Sequence, residues 1–281
     1  MSDTGPPHSD AGDTSRRVLI AEDNVTNQRV AAAMLRHLGF EVDVVADGAD
    51  AVMAAMATQY RVILMDCQIP GIDGYQATAE IRRLQESPRR TPIIAVTGSE
   101  SMADRQRCLA AGMDDYLAKP LRLQALGSVM ARWAPQGSLA NIADDAAEPV
   151  QGGAVDLRRQ TDRGSVVLDP RVVARLERLG AAAGEDLLGQ LAALFLADAE
   201  IRIRELRLAL ADGDAAAVVR SAHSLTGSSG NLGATELSRL CGVLAADGPA
   251  ADLVGRLALV DGIEAELKRV RSALGALVPA A

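Results

Sequence analysis

Five short apolar runs, at 18–21, 42–45, 61–65, 92–96 and 115–117, alternate in the first half of the chain with stretches of helical period at 25–38, 49–58, 74–85, 102–111 and 122–133. Apolar runs of this length with no polar alternation are strands covered on both faces, and strands separated by helices pair in parallel. The pattern predicts an α/β domain with a doubly wound, five-stranded parallel sheet that closes at Trp133. After Val166 strand signals vanish. Helical periods at 170–179, 185–211, 214–231, 235–246 and 250–277, broken by Gly-rich turns such as Ala211-Asp-Gly-Asp214, predict an all-α antiparallel bundle.

At 281 residues the chain exceeds the common size of a single domain. We divide it into a disordered tail (1–15), the α/β domain (16–134), a flexible linker rich in Pro, Gly, Asn and Asp (135–165) and the helical bundle (166–279). A linker of about 30 residues has an r.m.s. span of roughly 30 Å, so it permits contact between the domains on either side. Apolar residues make up 48% and aromatics only 2%, so the cores must be built from Ala, Leu and Val. The net charge of −8 carries no electrostatic footprint for nucleic acid or an anionic membrane and points to protein partners. Cys67, Cys108 and Cys241 have neither a disulfide framework nor zinc-ligand spacing. The first residues lack the basic and apolar regions of a leader, and no apolar run approaches the ~18 residues of a membrane span, so a cytoplasmic location is expected.

In a doubly wound sheet, ligands collect beyond the carboxyl ends of the strands. That rule brings together Glu22 and Asp23 after the first strand, Asp66 after the third, Thr97 after the fourth and Lys119 after the fifth. Carboxylates on one rim repel one another unless a cation joins them, and hard oxygen ligands suit Mg²⁺. A hydroxyl and an ammonium beside that metal can hold a tetrahedral anion, so the constellation suits phosphoryl chemistry. The apolar run Val-Ile-Leu-Met delivers Asp66 rigidly, and the Pro70-Gly71 turn after it is expected to leave the carboxylate open to in-line attack on a phosphoryl group, forming an acyl phosphate. The chain has 29 basic side chains but only two lysines, Lys119 and Lys268. Lys119 in so Arg-rich a chain indicates a need for a compact ammonium.

The segments VLIAEDN, VILMDCQIPGIDGY, IIAVTG and DDYLAKP resemble the response-regulator receiver family in order and spacing, and the sheet is therefore expected to be flavodoxin-like. The resemblance implies that Asp66 is the phosphoacceptor, Asp23 a direct Mg²⁺ ligand, Glu22 a ligand acting largely through water, and the backbone carbonyl of Gln68 the completion of the metal shell. Thr97 and Lys119 would bind the phosphoryl group, Tyr116 would rotate when Thr97 is drawn inward, and the Lys119–Pro120 bond would be cis. A dehalogenase-type phosphatase would need an Asp where Gln68 stands, and a flavodoxin a Ser/Thr/Gly-rich loop where Glu22-Asp-Asn-Val25 stands.

In the third helix of the bundle, Val218, Ala222, Leu225, Ser229 and Leu232 form one seam, and His223 projects away from its centre. At 100° per residue Gly227 and Gly230 lie roughly 40° and 20° from His223. Each helix-interior glycine costs up to ~1 kcal/mol against Ala, so the pair is read as clearing an exposed surface around the imidazole. A neutral imidazole is nucleophilic without assistance and can carry a phosphoryl group. The segment AHSLTGSSGNLGA resembles the signature of histidine phosphotransfer (HPt) domains, which implies that His223 is phosphorylated. That family usually has Lys three residues after the His, and here Thr226 stands there.

The sequence thus reads as a phosphorelay protein, similar to the receiver and HPt end of a hybrid sensor kinase, in which Asp66 accepts phosphoryl from a phosphohistidine and His223 exchanges it with a receiver aspartate. No Gly-rich ATP-binding stretch is present, which implies a separate sensor histidine kinase and a further response regulator or HPt protein as partners. The alternative is a switch in which phospho-Asp66 alters docking of the helical domain. A transcription regulator is disfavoured, because 166–281 holds 12 basic against 15 acidic side chains.

Overall fold

The computed structural model describes residues 16–85, 90–98, 102–135, 166–246 and 253–277. The tail expected at 1–15 and nearly all of the linker expected at 135–165 lie outside the described residues. The first domain alternates β1 (Arg17–Ala21), α1 (Val25–His37), β2 (Glu41–Val45), α2 (Gly48–Ala57), β3 (Val62–Asp66), α3 (Gly74–Leu84), β4 (Ile93–Thr97), α4 (Met102–Ala111), β5 (Asp115–Ala118) and α5 (Leu123–Trp133). All strand pairs are parallel, in the order β2-β1-β3-β4-β5. The central strands β3 and β4 are buried at every position, as their unbroken apolar runs require, whereas the edge strand β2 is half-exposed. The chain reverses its winding between β1 and β3, so the loops after these strands open onto one crevice.

The second domain consists of α6 (Pro170–Ala183), α7 (Leu187–Asp212), α8 (Ala215–Asn231), α9 (Thr235–Ala246) and α10 (Leu253–Leu277). Helices α7, α8, α9 and α10 pack in a ring, and α6 lies against α7 and α1. The predicted turn at Ala211–Asp214 forms as expected: Gly213 closes α7 at φ +71°, and the Asp214 carboxylate caps α8 by accepting from Ala217 N. No single described helix is long and apolar enough to cross a membrane. The pair α6 and α7 has that composition jointly, but it bends by 120° and buries its apolar faces in the bundle.

The two domains are docked. Seven residues of α1, from Thr26 to Leu35, are buried over an arc wider than one neighbour covers, because α1 lies between the sheet and helices α6, α7 and α8. One buried apolar cluster runs without a break from Val18, Leu64 and Val96 of the sheet into Leu191, Phe195 and Leu225 of the bundle. At its edge Arg29 reaches Glu185 at 2.7 Å and Gln190 at 2.5 Å.

Candidate functional site

The carboxyl ends of β1 and β3 deliver three carboxylates to the crevice, and oxygens of Glu22, Asp23 and Asp66 all lie within 4.8 Å of one another. Asp66 is 1% exposed. Its Oδ1 accepts from Gln68 N at 3.0 Å and its Oδ2 from Lys119 Nζ at 2.7 Å. Lys119 Nζ also lies 2.8 Å from Glu22 Oε2. The loop that holds Asp66 depends on Gly74, where a Cβ would overlap the Asp66 carbonyl oxygen. Lys119 is fixed by its own backbone, whose N donates to Thr97 O at 2.7 Å, and the Lys119–Pro120 bond is cis. Thr97 is buried at the end of β4, and Tyr116 on β5 is half-buried with the Arg105 guanidinium 5.0 Å from its ring centre. Tyr116 pairs with Ala95, two residues before Thr97, so the two side chains lie on the same face of the sheet.

The electrostatics follow from burial of more negative than positive charge. Burial pushes the Glu22 carboxyl up to about 7 despite the Lys119 charge, and Asp66 adds to the rise. Burial and then Asp66 also raise Asp23, against the pull of Arg202. Burial alone would lower the Lys119 ammonium, but Asp66 and Glu22 outweigh it and raise the pKa. Hard oxygens that converge where burial raises the Glu22 and Asp23 carboxyls fit a divalent cation. Glu22 and Asp23 would hold it with Asp66, and Gln68 lies at the same cleft.

His223 lies at that cleft too. A cavity of about 580 Å³ lies at the domain junction, and Asp23, Asp66, Gln68 and Lys119 line it opposite Arg202, Arg220 and His223. Two expectations are corrected here. His223 is half-buried, not exposed, and Asp66 opens into the interdomain cleft, not freely to solvent, because the receiver rim and the bundle cover each other. The glycines clear space for the other domain. A Cβ at Gly227 would lie 3.1 Å from Asn27 Nδ2 and 3.3 Å from Lys119 Cδ, and one at Gly230 would lie 3.1 Å from Pro120. Gly98, beside Thr97, faces the imidazole so closely that a Cβ there would collide with His223 Cε1. Burial, then the Lys119 charge, lower the His223 pKa, with Asp66 opposing, so the imidazole is neutral near pH 7. Its Nε2 is buried and has no hydrogen-bond partner among the described residues. Thr226 does not stand on an open face either. Its Oγ1 donates to Ala222 O at 2.9 Å and its methyl group faces Gly242 of α9.

Residues to which the sequence motifs assign no role complete the junction. Asn24 Nδ2 donates to Asp198 Oδ2 at 2.7 Å and to Ser224 Oγ at 3.0 Å. Asn231 Nδ2 donates to Asn27 Oδ1 at 2.9 Å, while Asn27 Nδ2 donates to Glu22 Oε1 at 3.0 Å. Arg202 crosses to Asp23 at 3.5 Å. The available signal was Arg202 itself, flanked on its helix by Asp198 and Glu205 at the spacings that place acids beside it. Cys67 and Cys108 are buried thiols with Sγ atoms 3.8 Å apart, and neither they nor Cys241 form a disulfide.

Residues 18–131 match the family model of the response regulator receiver domain, and residues 190–273 match that of the Hpt domain. The chain therefore carries a receiver domain followed by an Hpt domain, the domain pair of a two-component phosphorelay. Among curated proteins it is 32% identical to the sensor protein GacS of Pseudomonas syringae pv. syringae over 85% of this chain and 25% of that protein. It is 29% identical to the signal transduction histidine-protein kinase BarA of Shigella flexneri over 84% of this chain and 24% of that protein. The chain thus spans about a quarter of the length of these relatives, which it matches. Among solved structures, the receiver domain of sensor histidine kinase PA1611 from Pseudomonas aeruginosa PAO1, with a magnesium ion coordinated in its active site cleft, is 50% identical, at a TM-score of 0.40, over 43% of this chain and 98% of that one.

Proposed function

We propose that the chain relays a phosphoryl group between Asp66 and His223 and, through them, between a partner's phosphohistidine and a partner's receiver aspartate. The observation that carries this reading is the single cleft that Asp66, Lys119 and His223 share. In the first step a carboxylate oxygen of Asp66 attacks phosphorus, the P–N bond of the donor phosphohistidine breaks, and an acyl phosphate forms. Lys119 then offsets charge on the phosphoryl oxygens, and Thr97 stands at the adjacent strand end to donate to them. In the second step the Nε2 lone pair of neutral His223 attacks, the acyl P–O bond breaks, and the Asp66 carboxylate is restored to Lys119 with no proton transfer required. Bound Mg²⁺, held by Glu22, Asp23, Asp66 and the Gln68 carbonyl, would supply charge neutralisation at the same oxygens. Tyr116, on the same sheet face as Thr97, would follow its movement by rotating. A sensor histidine kinase as donor, a further response regulator or Hpt protein as the exchange partner, and a cytoplasmic location fit this role.

Radiolabelling of the full chain by a phosphorylated donor domain tests it. Acid-stable, base-labile label at Asp66 and base-stable label at His223 are expected in the wild type. The docking of the bundle directly over Asp66 also suits a switch in which phosphorylation only releases the helical domain. Label that reaches Asp66 and never His223, with any partner, selects that reading instead.

A further inference from the structure

The bundle places a cation of its own at the receiver's acidic corner. Arg202 is held on α7 by two acids, with Nε 3.3 Å from Asp198 and Nη1 3.4 Å from Glu205. Its Nη2 lies 3.5 Å from Asp23 Oδ2 across the domain junction. Asp198 in turn accepts from Asn24 at 2.7 Å, so Asp23, Arg202, Asp198 and Asn24 close a ring between two adjacent receiver residues and one turn of α7. The Arg202 side chain is 22% exposed, where solvent and salt screen an ion pair less than at an open surface.

We propose that Arg202 is a positioning residue for the transfer between Asp66 and His223, on which reading the inference rests. It seats the bundle by pairing with Asp23, and it thereby competes with the divalent cation for that carboxylate. Asp23 would hold the cation with Glu22 and Asp66, and a carboxylate engaged there would be drawn from the guanidinium, whose like charge the cation would oppose. Linkage makes the effect reciprocal: the factor by which docked Arg202 weakens cation binding is the factor by which the cation weakens docking. The tether keeps the loosened bundle at high effective concentration, so His223 still returns to Asp66 yet is released to meet a second receiver. Thr226 supplies no charge beside His223, and Arg202 brings one to the cleft from the neighbouring helix.

The test uses the full chain, with Mg²⁺ alone as the probe, and follows the amide resonances of Asp23 and Asn24. Arg202→Gln is expected to bind Mg²⁺ about fivefold more tightly, roughly 1 kcal/mol. Arg202→Lys is expected to stay within about twofold of wild type, because it keeps the charge. In parallel, Arg202→Gln should slow transfer from Asp66 to His223 while Asp66 still takes label from a donor domain. A bundle that had merely lost stability would free Asp23 as well, so Arg202→Gln must keep the helical content and thermal midpoint of wild type while the cation tightens. An unchanged or weaker Mg²⁺ midpoint in Arg202→Gln, with normal labelling of both residues in wild type, overturns the role of Arg202 alone. Absence of label at His223 in wild type overturns the transfer reading and this inference together.

Discussion

Asp66 is held by the backbone of a five-stranded sheet, 1% exposed and with both carboxylate oxygens hydrogen-bonded, whereas His223 rides on one helix with its buried Nε2 unpartnered among the described residues. The first residue is organised by its own domain. The second acquires its environment from the other domain, through Gly98, Lys119 and Asp66. The receiver site should therefore tolerate loss of docking, and the environment of His223 should not.

The largest effect sharpens that asymmetry. Asp66→Asn removes the proposed nucleophile and should lower labelling of the receiver by about 10³-fold or more, whereas His223→Gln should leave Asp66 labelling within about twofold. Phosphopeptide mapping after labelling separates the two, and a His223→Gln chain unable to label Asp66 would break the asymmetry. Next comes the metal. Chelation in excess EDTA, or Asp23→Asn, should lower Asp66 labelling by about a hundredfold, and unchanged labelling in EDTA would remove the cation from the mechanism.

A smaller effect addresses docking directly. Gly227→Leu places a side chain where only 3.1–3.3 Å separates a Cβ from Asn27 and Lys119. It should slow transfer from Asp66 to His223 by about tenfold, near 1.4 kcal/mol, without slowing labelling of Asp66 by a donor. Rapid-quench kinetics of the two steps would show it, and equal slowing of both steps would mean that the receiver needs the bundle after all.

Docking should also depend on pH. The docked imidazole has a pKa below the ordinary 6.5, so the docked form binds a proton less readily than the undocked one. The His223 contribution to docking is complete above about 6.5 and is lost as pH falls below it, toward the docked pKa. Lys119 and Asp66 face the same imidazole, and Glu22 titrates near 7, so the comparison must be with His223→Gln. The docked fraction, followed by small-angle scattering, should fall more in wild type than in His223→Gln between pH 7 and pH 5.5. Identical profiles would show that the imidazole does not sense its burial.

The smallest effect falls on Thr226. A lysine there would have to leave the α9 side where Thr226 now lies, and Lys119 and Arg202 already bring charge to the cleft. Thr226→Lys should change the transfer rate by less than about twofold. A tenfold gain would show that those two cations do not serve His223.

The sheet was legible because its apolar runs, at 61–65 and 92–96 above all, could serve only as covered strands, and because strand order places their ends on one rim. The convergence of Glu22, Asp23, Asp66, Thr97 and Lys119 followed from that rule with no tertiary detail. Helical period likewise showed which side of α8 faces its own bundle. It could not show that another domain covers the opposite side, because Gly227 and Gly230 have the same period whether they clear room for solvent or for Asn27 and Pro120. Arg202 was marked only by its flanking acids, and its role across the junction was hidden for the same reason. Its partner Asp23 is 179 residues away, and no local pattern encodes a pairing that depends on rigid-body docking.

Asn24 shows how such a junction is built without compromising either half. Its carboxamide has two chemically different ends: the oxygen accepts from Thr26 N and Asn27 N and starts α1, while the nitrogen reaches Asp198 and Ser224. A carboxylate could start the helix but would repel Asp198, and a hydroxyl has one heavy atom for both tasks. When the domains part, the oxygen keeps its helix and only the nitrogen is surrendered to water. The residue next to Asp23 is thus a detachable coupling, and separation reaches the receiver as a change in its neighbours without becoming a change in its shape.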